Sequence, residues 1–308
     1  ATDGADYLQN IMGFSAIKNG GTNGDVTFRG MFGSRIKMLV DGSENLGACP
    51  NRMDAPTSYI QPESFDQITV IKGPQTVQYA TPGSAATVIF QRQPENLSKE
   101  QPYRGQASVL MGSYGRLDHN IEAAIGDETK YARLNANRSV ADDYKDGNDK
   151  SIHSNWERWN TDLALGWKPT DDSWLELRAG KGDGEAAYAG RSMDGSQFKR
   201  ESLGLHAEQK NITEVIQKVE AQVDYSYNDH VMDNFSLRTP PMTTMKMHGM
   251  DMTVPNKMSM RVDRRTLNTR LAVTTDWDKF SVISGVDTQQ NKHGGDMVMY
   301  AMPSMSSP

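Results

Sequence analysis

Methionine is concentrated in two stretches of this 308-residue chain, which holds 18 methionines in all. Between residues 239 and 260 the only other aliphatic side chain, prolines apart, is Val254. A core-forming segment would mix in leucine, isoleucine or phenylalanine, whereas an excess of thioether groups favours a soft metal ion such as Cu(I). We therefore predict metal capture over the alternative, a flexible apolar surface. The predicted capture residues are Met242, Met245, Met247, His248, Met250, Met252, Met258, Met260, Met297, Met299, Met302 and Met305.

The single cysteine, Cys49, precedes Met53 by four residues. In one helical turn such residues share a face, so a thiolate and a thioether could bind the same ion. The alternative is an inert buried thiol, but the neighbours of Cys49, from Gly47 to Arg52, are typical of a polar loop. A lone cysteine also excludes an intramolecular disulfide.

His230 and Met232 continue an alternating segment at residues 218–228, where odd positions are apolar or aromatic and even positions are polar. Continued alternation places both side chains on the polar face, about 7 Å apart along the strand. A lone histidine there could equally be a plain polar residue, and the adjoining Met232 favours a ligand. Together with Cys49 and Met53, the pair would supply three sulfurs and one nitrogen, a set suited to copper. His248 and Met250 repeat the same spacing in a loop and rank second, as a capture site.

Composition excludes several other functions. The net charge of −6 and pI of about 5.6 argue against a nucleic-acid binder that relies on bulk positive charge. The sequence contains no run of 18 apolar residues, the length that would predict a membrane-spanning helix. The six histidines include no H-x-H pair, which a secreted copper enzyme would need, so we do not expect an enzyme.

The chain divides near residue 100. Residues 1–95 are predicted to form a compact mixed α/β unit, with a helical candidate at residues 3–12. Four short β-like runs follow, punctuated by glycine-rich turns, at residues 26–28, 36–40, 68–71 and 87–90.

From residue 103 onward the pattern changes to strands of period two. We predict nine strands, at residues 104–113, 116–126, 129–139, 156–168, 173–181, 199–209, 216–232, 261–275 and 278–290. Short turns follow the even-numbered strands, and long loops are predicted at about 140–155, 182–198, 233–260 and 291–308. Long loops at one end and tight turns at the other are typical of an outer-membrane β-barrel. The apolar face would then meet lipid, and the polar face would line the lumen.

Three stretches of the first segment resemble the plug domain of TonB-dependent outer-membrane receptors: VTFRG at 26–30, MLVDG at 38–42 and ITVIKGPQ at 68–75. The resemblance implies a mixed α/β plug domain inside an antiparallel transmembrane β-barrel of 22 strands. Nine strands cannot close such a barrel. We therefore expect residues 1–95 to be the plug, with the TonB-binding segment missing before Ala1. Residues 103–308 are expected to be the N-terminal part of the barrel.

At the C-x-x-x-M and H-x-M stretches the resemblance narrows to copper receptors of the OprC/NosA type. It implies that Cys49, Met53, His230 and Met232 bind copper, Cu(I) or Cu(II), as the transported ligand. It also implies residence in outer-membrane lipid and import without catalysis, driven by TonB and the inner-membrane energising complex. The alternative is a receptor of the same fold for a metal chelate, a siderophore or cobalamin, in which the methionine clusters are incidental.

Overall fold

The computed structural model describes residues 8–9, 11–12, 14–18, 24–28, 31–32, 36–40, 43–44, 67–72, 86–92 and 94–299. The strands before residue 92 are described through their backbone pairing. Of the predicted first helix, the structure describes a single turn, in which the Ile11 N–H donates to the Leu8 carbonyl oxygen at 3.0 Å. No helix among the described residues is long and apolar enough to cross a membrane.

Short strands in the first ninety residues form two small sheets. They are β1 (Phe14–Lys18), β2 (Gly24–Phe28), β3 (Met31–Phe32), β4 (Ile36–Val40), β5 (Ser43–Glu44), β6 (Gln67–Lys72) and β7 (Ala86–Gln91). One sheet has the order β1-β2-β3 and the other β5-β4-β7-β6. In the second sheet β4 and β7 run parallel, while the other pairs are antiparallel. All four runs predicted from the sequence lie within these strands.

The rest of the described chain is an antiparallel meander. Its strands are β8 (Tyr103–Met111), β9 (Leu117–Gly126), β10 (Lys130–Ala141), β11 (Tyr144–Lys145), β12 (Ser151–Ile152), β13 (Trp156–Trp167), β14 (Ser173–Ala186), β15 (Asp194–Lys210), β16 (Ile216–Asp233), β17 (Met242–Met247), β18 (Met250–Pro255), β19 (Met258–Trp277) and β20 (Phe280–Met299). Nine of them form one sheet in the order β20-β19-β16-β15-β14-β13-β10-β9-β8, which confirms the predicted strand number. The pairs β11–β12 and β17–β18 are separate hairpins within the connections.

The polarity of the large sheet is inverted relative to a soluble protein. In β10 the buried side chains include Arg133, Asn135 and Asn137, while Leu134 on the opposite face is 46% exposed. The same alternation holds in β16, where Gln222 and Asn228 are buried and Val223 is 44% exposed. A polar inward face and an apolar outward face are what a lipid-embedded barrel wall requires.

The segment that joins the two parts is fastened to the wall by one acid and one apolar side chain. Glu95 is buried and forms ion pairs with Arg104 and Arg133. Leu97 packs in a small apolar cluster with Ala124 and Tyr131. Residues 95–97 are therefore held against β8, β9 and β10.

The strands are longer than predicted at the end that carries the long loops. Instead of a loop over 182–198, β14 continues to Ala186 and β15 begins at Asp194. Gly182 and Gly184 fall in the predicted loop, yet in the structure they are inward-facing residues of β14 that leave room for side chains of β13. A Cβ on Gly180 or Gly182 would approach Asp162 or Asn160 to under 3.0 Å. The predicted loop at 291–308 is likewise strand as far as Met299, because β20 stays paired with β19. Residues 300–308 lie outside the described chain.

Candidate metal centre

His230 and Met232 lie together on the inward face near the loop end of β16. Their side chains are 0% and 1% exposed, the lowest values on that strand. Since residues two apart on a strand share a face, both side chains point to the same side of the wall, about 7 Å apart. An imidazole and a thioether are thus buried side by side.

A backbone carbonyl orients the His230 ring. His230 Nδ1 lies 2.9 Å from the carbonyl oxygen of Gln197 on β15. A carbonyl can only accept, so Nδ1 carries the proton, and in the neutral ring the lone pair is then on Nε2. The ring of Phe198 stacks on the imidazole, with 4.5 Å between centroids and 27° between planes. This arrangement is the one that metal-binding histidines use to hold their ring and tautomer.

An irregularity in β15 brings these two partners to His230. The β15–β16 register shifts between Gly195, the partner of Met232, and Gln197, the partner of Val231, so one extra residue sits in β15. A Cβ on Gly195 would come within 3.0 Å of the Phe198 ring and 3.1 Å from the Tyr188 hydroxyl. Glycine is needed here because the aromatic ring occupies the space of a side chain.

Met232 packs into an apolar cluster on this otherwise polar face. Its buried neighbours in the cluster are Ala186, Tyr188 and Phe198. Two further methionines, Met193 and Met260, pack against the cluster and are only partly buried. Met193 was not among the sequence-predicted residues, because its connection contains no other methionine. The local sequence carries no signal for Met193, since only the packing of the β14–β15 connection brings it against the cluster of Met232.

Strand register brings methionines of both methionine-rich stretches, 239–260 and 297–305, up to this site. Met260 on β19 is the Cα partner of Met232, and Met297 on β20 is the Cα partner of Met260. Met258 and Met299 are paired one step further toward the loops. Directly paired residues share a face and have Cβ atoms about 5 Å apart. The wall therefore carries a row of three methionines beginning at Met232.

Five methionines of the first stretch lie in the β17–β18 hairpin: Met242, Met245, Met247, Met250 and Met252. Met245 pairs with Met252, and Met247 pairs with Met250, so Met245, Met250 and Met252 occupy one face of the ribbon. His248 and Gly249 form its two-residue turn, both with positive φ (53° and 77°). Met242 lies at an even position of β17 and so on the other face.

Asp194, the first residue of β15, is the polar anchor beside the site. Its carboxylate accepts hydrogen bonds from the Tyr188 backbone N–H at 2.9 Å and from the Arg238 guanidinium at 2.6 and 2.8 Å. His153 Nε2 lies 3.0 Å from the same carboxylate. Burial alone would raise the pKa of Asp194, but these three donors together lower it below its ordinary value. Three of the long connections are thereby fastened to the strand that holds His230.

The remaining predicted ligands fall in parts of the chain that the structure does not describe. Cys49 and Met53 lie outside the described residues, as do Met302 and Met305. Of the four predicted high-affinity ligands, the structure therefore places His230 and Met232, and it brings them together.

The N-terminal part of the chain matches a known family. Residues 1–87 match the TonB-dependent receptor plug domain. The plug, followed by an inverted-polarity antiparallel sheet, confirms the predicted fold, and the chain belongs to the TonB-dependent outer-membrane receptors.

One solved structure is similar over nearly the whole chain. The chain is 54% identical to the protein described as "Copper transporter OprC", with a TM-score of 0.89. The match covers 96% of this chain but 44% of that transporter, so the chain spans less than half of its length. No curated protein sequence matches the chain.

More distant receptors share the fold alone. The siderophore receptor PirA from Acinetobacter baumannii is 17% identical, with a TM-score of 0.63, over 94% of this chain and 45% of that receptor. The FrpB iron transporter from Neisseria meningitidis is 10% identical, with a TM-score of 0.61, over 97% of this chain and 59% of that protein.

Proposed function

We propose that this protein imports copper ions across the outer membrane in a TonB-dependent manner. The observation that carries the proposal is the buried pair of His230 and Met232 on the inward face of the wall, with Nδ1 of His230 committed to a backbone carbonyl. An imidazole Nε2 next to a thioether selects copper over the hard cations that carboxylates prefer. Similarity to a copper transporter at 54% identity supports the same substrate.

In this proposal the tight site has four ligands. Cys49 and Met53 come from the plug, and His230 and Met232 come from the barrel wall. Metal ligation would deprotonate the Cys49 thiol. A thioether is not protonated in acid, so Met53 and Met232 keep their ligand strength where imidazoles lose theirs.

The methionine clusters are proposed to capture copper and pass it to the tight site. Met245, Met250 and Met252 would hold ions weakly on the exposed hairpin. The row of Met297, Met260 and Met232 leads from β20 to the tight site in steps of about 5 Å, close enough for an ion to be shared between neighbours.

Transport itself needs no catalysis. Copper would bind between plug and wall and be released when TonB, driven by the inner-membrane energising complex, pulls on the plug. The fastening of residues 95–97 to the wall by Glu95 and Leu97 is consistent with a plug that is displaced while its C-terminal end stays attached.

The test is the copper content of the purified protein after copper exposure and extensive washing. We expect one copper per wild-type chain, and its loss in both Cys49→Ala and His230→Ala. His119→Ala is the control, because His119 lies on the opposite, outward face of its strand. Equal copper in wild type and both variants would indicate that the methionine loops bind the retained copper. No copper in any sample would favour the alternative function, a receptor for a metal chelate.

A further inference from the structure

A second group of metal-ligating side chains lies on the same two strands, at the opposite end from His230. It consists of His206 and Glu208 on β15 and Glu220 on β16, whose ligand atoms all lie within 4.8 Å of one another. Gln222, the Cα partner of His206, is eight residues before His230 on β16, which corresponds to about 26 Å along the strand. The group is therefore close to the short connections and distant from the methionine loops.

The register explains why the three side chains converge. Glu208 and Glu220 are Cα partners, and His206 lies two residues before Glu208 on the same inward face. All three are partly buried. The ring of Trp174 on β14 packs against the His206 imidazole, with 4.7 Å between centroids and 45° between planes, and so holds it in place.

The charges favour a cation between the two carboxylates. Like charges placed directly opposite each other on adjacent strands are destabilising. Lys210 and Lys218 offset part of this repulsion, at 3.6 Å from Glu208 and 3.2 Å from Glu220. Both lysines are partly solvent-exposed, 56% and 32% for their side chains, so solvent screens their ion pairs with the glutamates and leaves much of the repulsion in place. A divalent cation would replace them and neutralise both carboxylates at once.

We propose that His206, Glu208 and Glu220 form a second metal site, which takes a borderline divalent cation such as Zn²⁺. One imidazole and two carboxylates are the ligands these ions accept, and a water would complete a tetrahedral set. Ligands around such an ion are about 3.4 Å apart at metal–ligand distances near 2.1 Å, so small rotations of the two glutamates close the remaining gap. With no sulfur ligand, this site differs in chemistry from the proposed tight copper site and does not depend on it.

The test is a calorimetric titration of the purified protein in detergent with Zn²⁺. The variants are His206→Gln, which removes the imidazole ligand, and the double variant Glu208→Gln/Glu220→Gln, which removes both charges and keeps the shapes of the two side chains. We expect each to weaken Zn²⁺ binding by more than about tenfold, the scale of effect seen when metal sites lose supporting groups. The controls are His119→Gln, on the outward face of β9, and Glu214→Gln, in the exposed connection after β15.

A further variant separates a metal site from plain lysine–glutamate pairing. Lys210→Gln/Lys218→Gln removes the cations that compete for the carboxylates, so we expect tighter Zn²⁺ binding. Unchanged affinity in the His206 and glutamate variants, or weaker binding in the lysine variant, would overturn the proposal. Zn²⁺ binding and the copper retained after washing are both measured on these samples and on Cys49→Ala. Loss of the retained copper in Cys49→Ala, with Zn²⁺ binding intact, distinguishes the two sites.

Discussion

Replacing Gly195 by alanine should weaken copper binding although residue 195 is no ligand. The new Cβ would approach the Phe198 ring to under 3.0 Å, a separation that real Cβ atoms essentially never show, and would lie 3.1 Å from the Tyr188 hydroxyl. The ring must therefore shift, and this ring stacks on His230 at 4.5 Å. Displacement of Phe198 removes a contact that holds the imidazole in position.

The size of the effect follows from the cost of overpacking. Inserting a methyl group into a packed cluster costs about 1–3 kcal/mol. If the free protein relieves that strain by moving Phe198 and the bound state must restore it, the full cost appears in binding. If the whole cost of about 1–3 kcal/mol appears in binding, Gly195→Ala raises the Kd for copper by roughly 5–150-fold, and a smaller share gives a smaller rise.

The assay is a competition titration of Cu(I) between the purified protein and a coloured chelator. Gly190→Ala is the matched control, because a Cβ on Gly190 meets nothing within 4 Å and the residue lies in the same connection between β14 and β15. Phe198→Leu, which removes the stacked ring without adding a methyl group, should weaken binding in the same direction. Wild-type affinity in Gly195→Ala would refute the argument that Phe198 positions His230. An equal loss in Gly190→Ala would show a general effect of the loop.

Two further predictions concern the loops. Replacing Met245, Met250 and Met252 together by leucine should reduce the number of weakly bound Ag⁺ ions, measured by mass spectrometry at saturating Ag⁺, and leave the tightly retained copper unchanged. Met111→Leu, the same change on the outward face of β8, should have no effect, and an equal reduction there would argue against a binding face on the hairpin. Asp194→Asn should speed backbone hydrogen exchange in residues 187–193 at pH 7, because hydrogen bonds to charged groups contribute about 1.5–3 kcal/mol each. Since the folded-state pKa of Asp194 is lowered, its stabilisation is present above the unfolded-state pKa of about 3.9 and is lost as the pH falls through the folded-state pKa. Wild type and variant should therefore differ at pH 7 and converge in strong acid, and a constant difference at every pH would contradict an ionised Asp194 as the anchor.

Much of the fold could be predicted from the sequence, because the pattern that specifies a barrel wall is local. Alternation in residues such as Gln222, Val223 and Asp224 assigns each side chain to one face without any knowledge of neighbouring strands. The turn residues then mark where each strand reverses. For the same reason the shared face of His230 and Met232 follows from their even numbering alone, and the structure places both on the buried face.

Predictions from the local sequence were wrong where neighbours on another strand determine whether a residue lies in a strand or a loop. The predicted loop begins at residue 182, but Gly182 lies in β14 because the Asn160 side chain of β13 occupies the space that its own would fill. The loop predicted over 291–308 is strand to Met299, since pairing with β19 supplies hydrogen bonds that the sequence of β20 does not reveal.

The amino-acid sequence by itself thus determined the family, the nine wall strands of the described part of the chain and the residue types that could bind copper. Only the tertiary structure decided which methionines stand beside Met232, because Met260 and Met297 reach it through strand register and Met193 through loop packing. Tertiary structure also sets the register shift at Gly195, next to the residues that orient the His230 ring. It likewise brings three connections into contact with Asp194. The hydrogen bonds from His230 to Gln197 and from Arg238 to Asp194 join residues 33 and 44 positions apart, and contacts at such separations arise only when the chain folds.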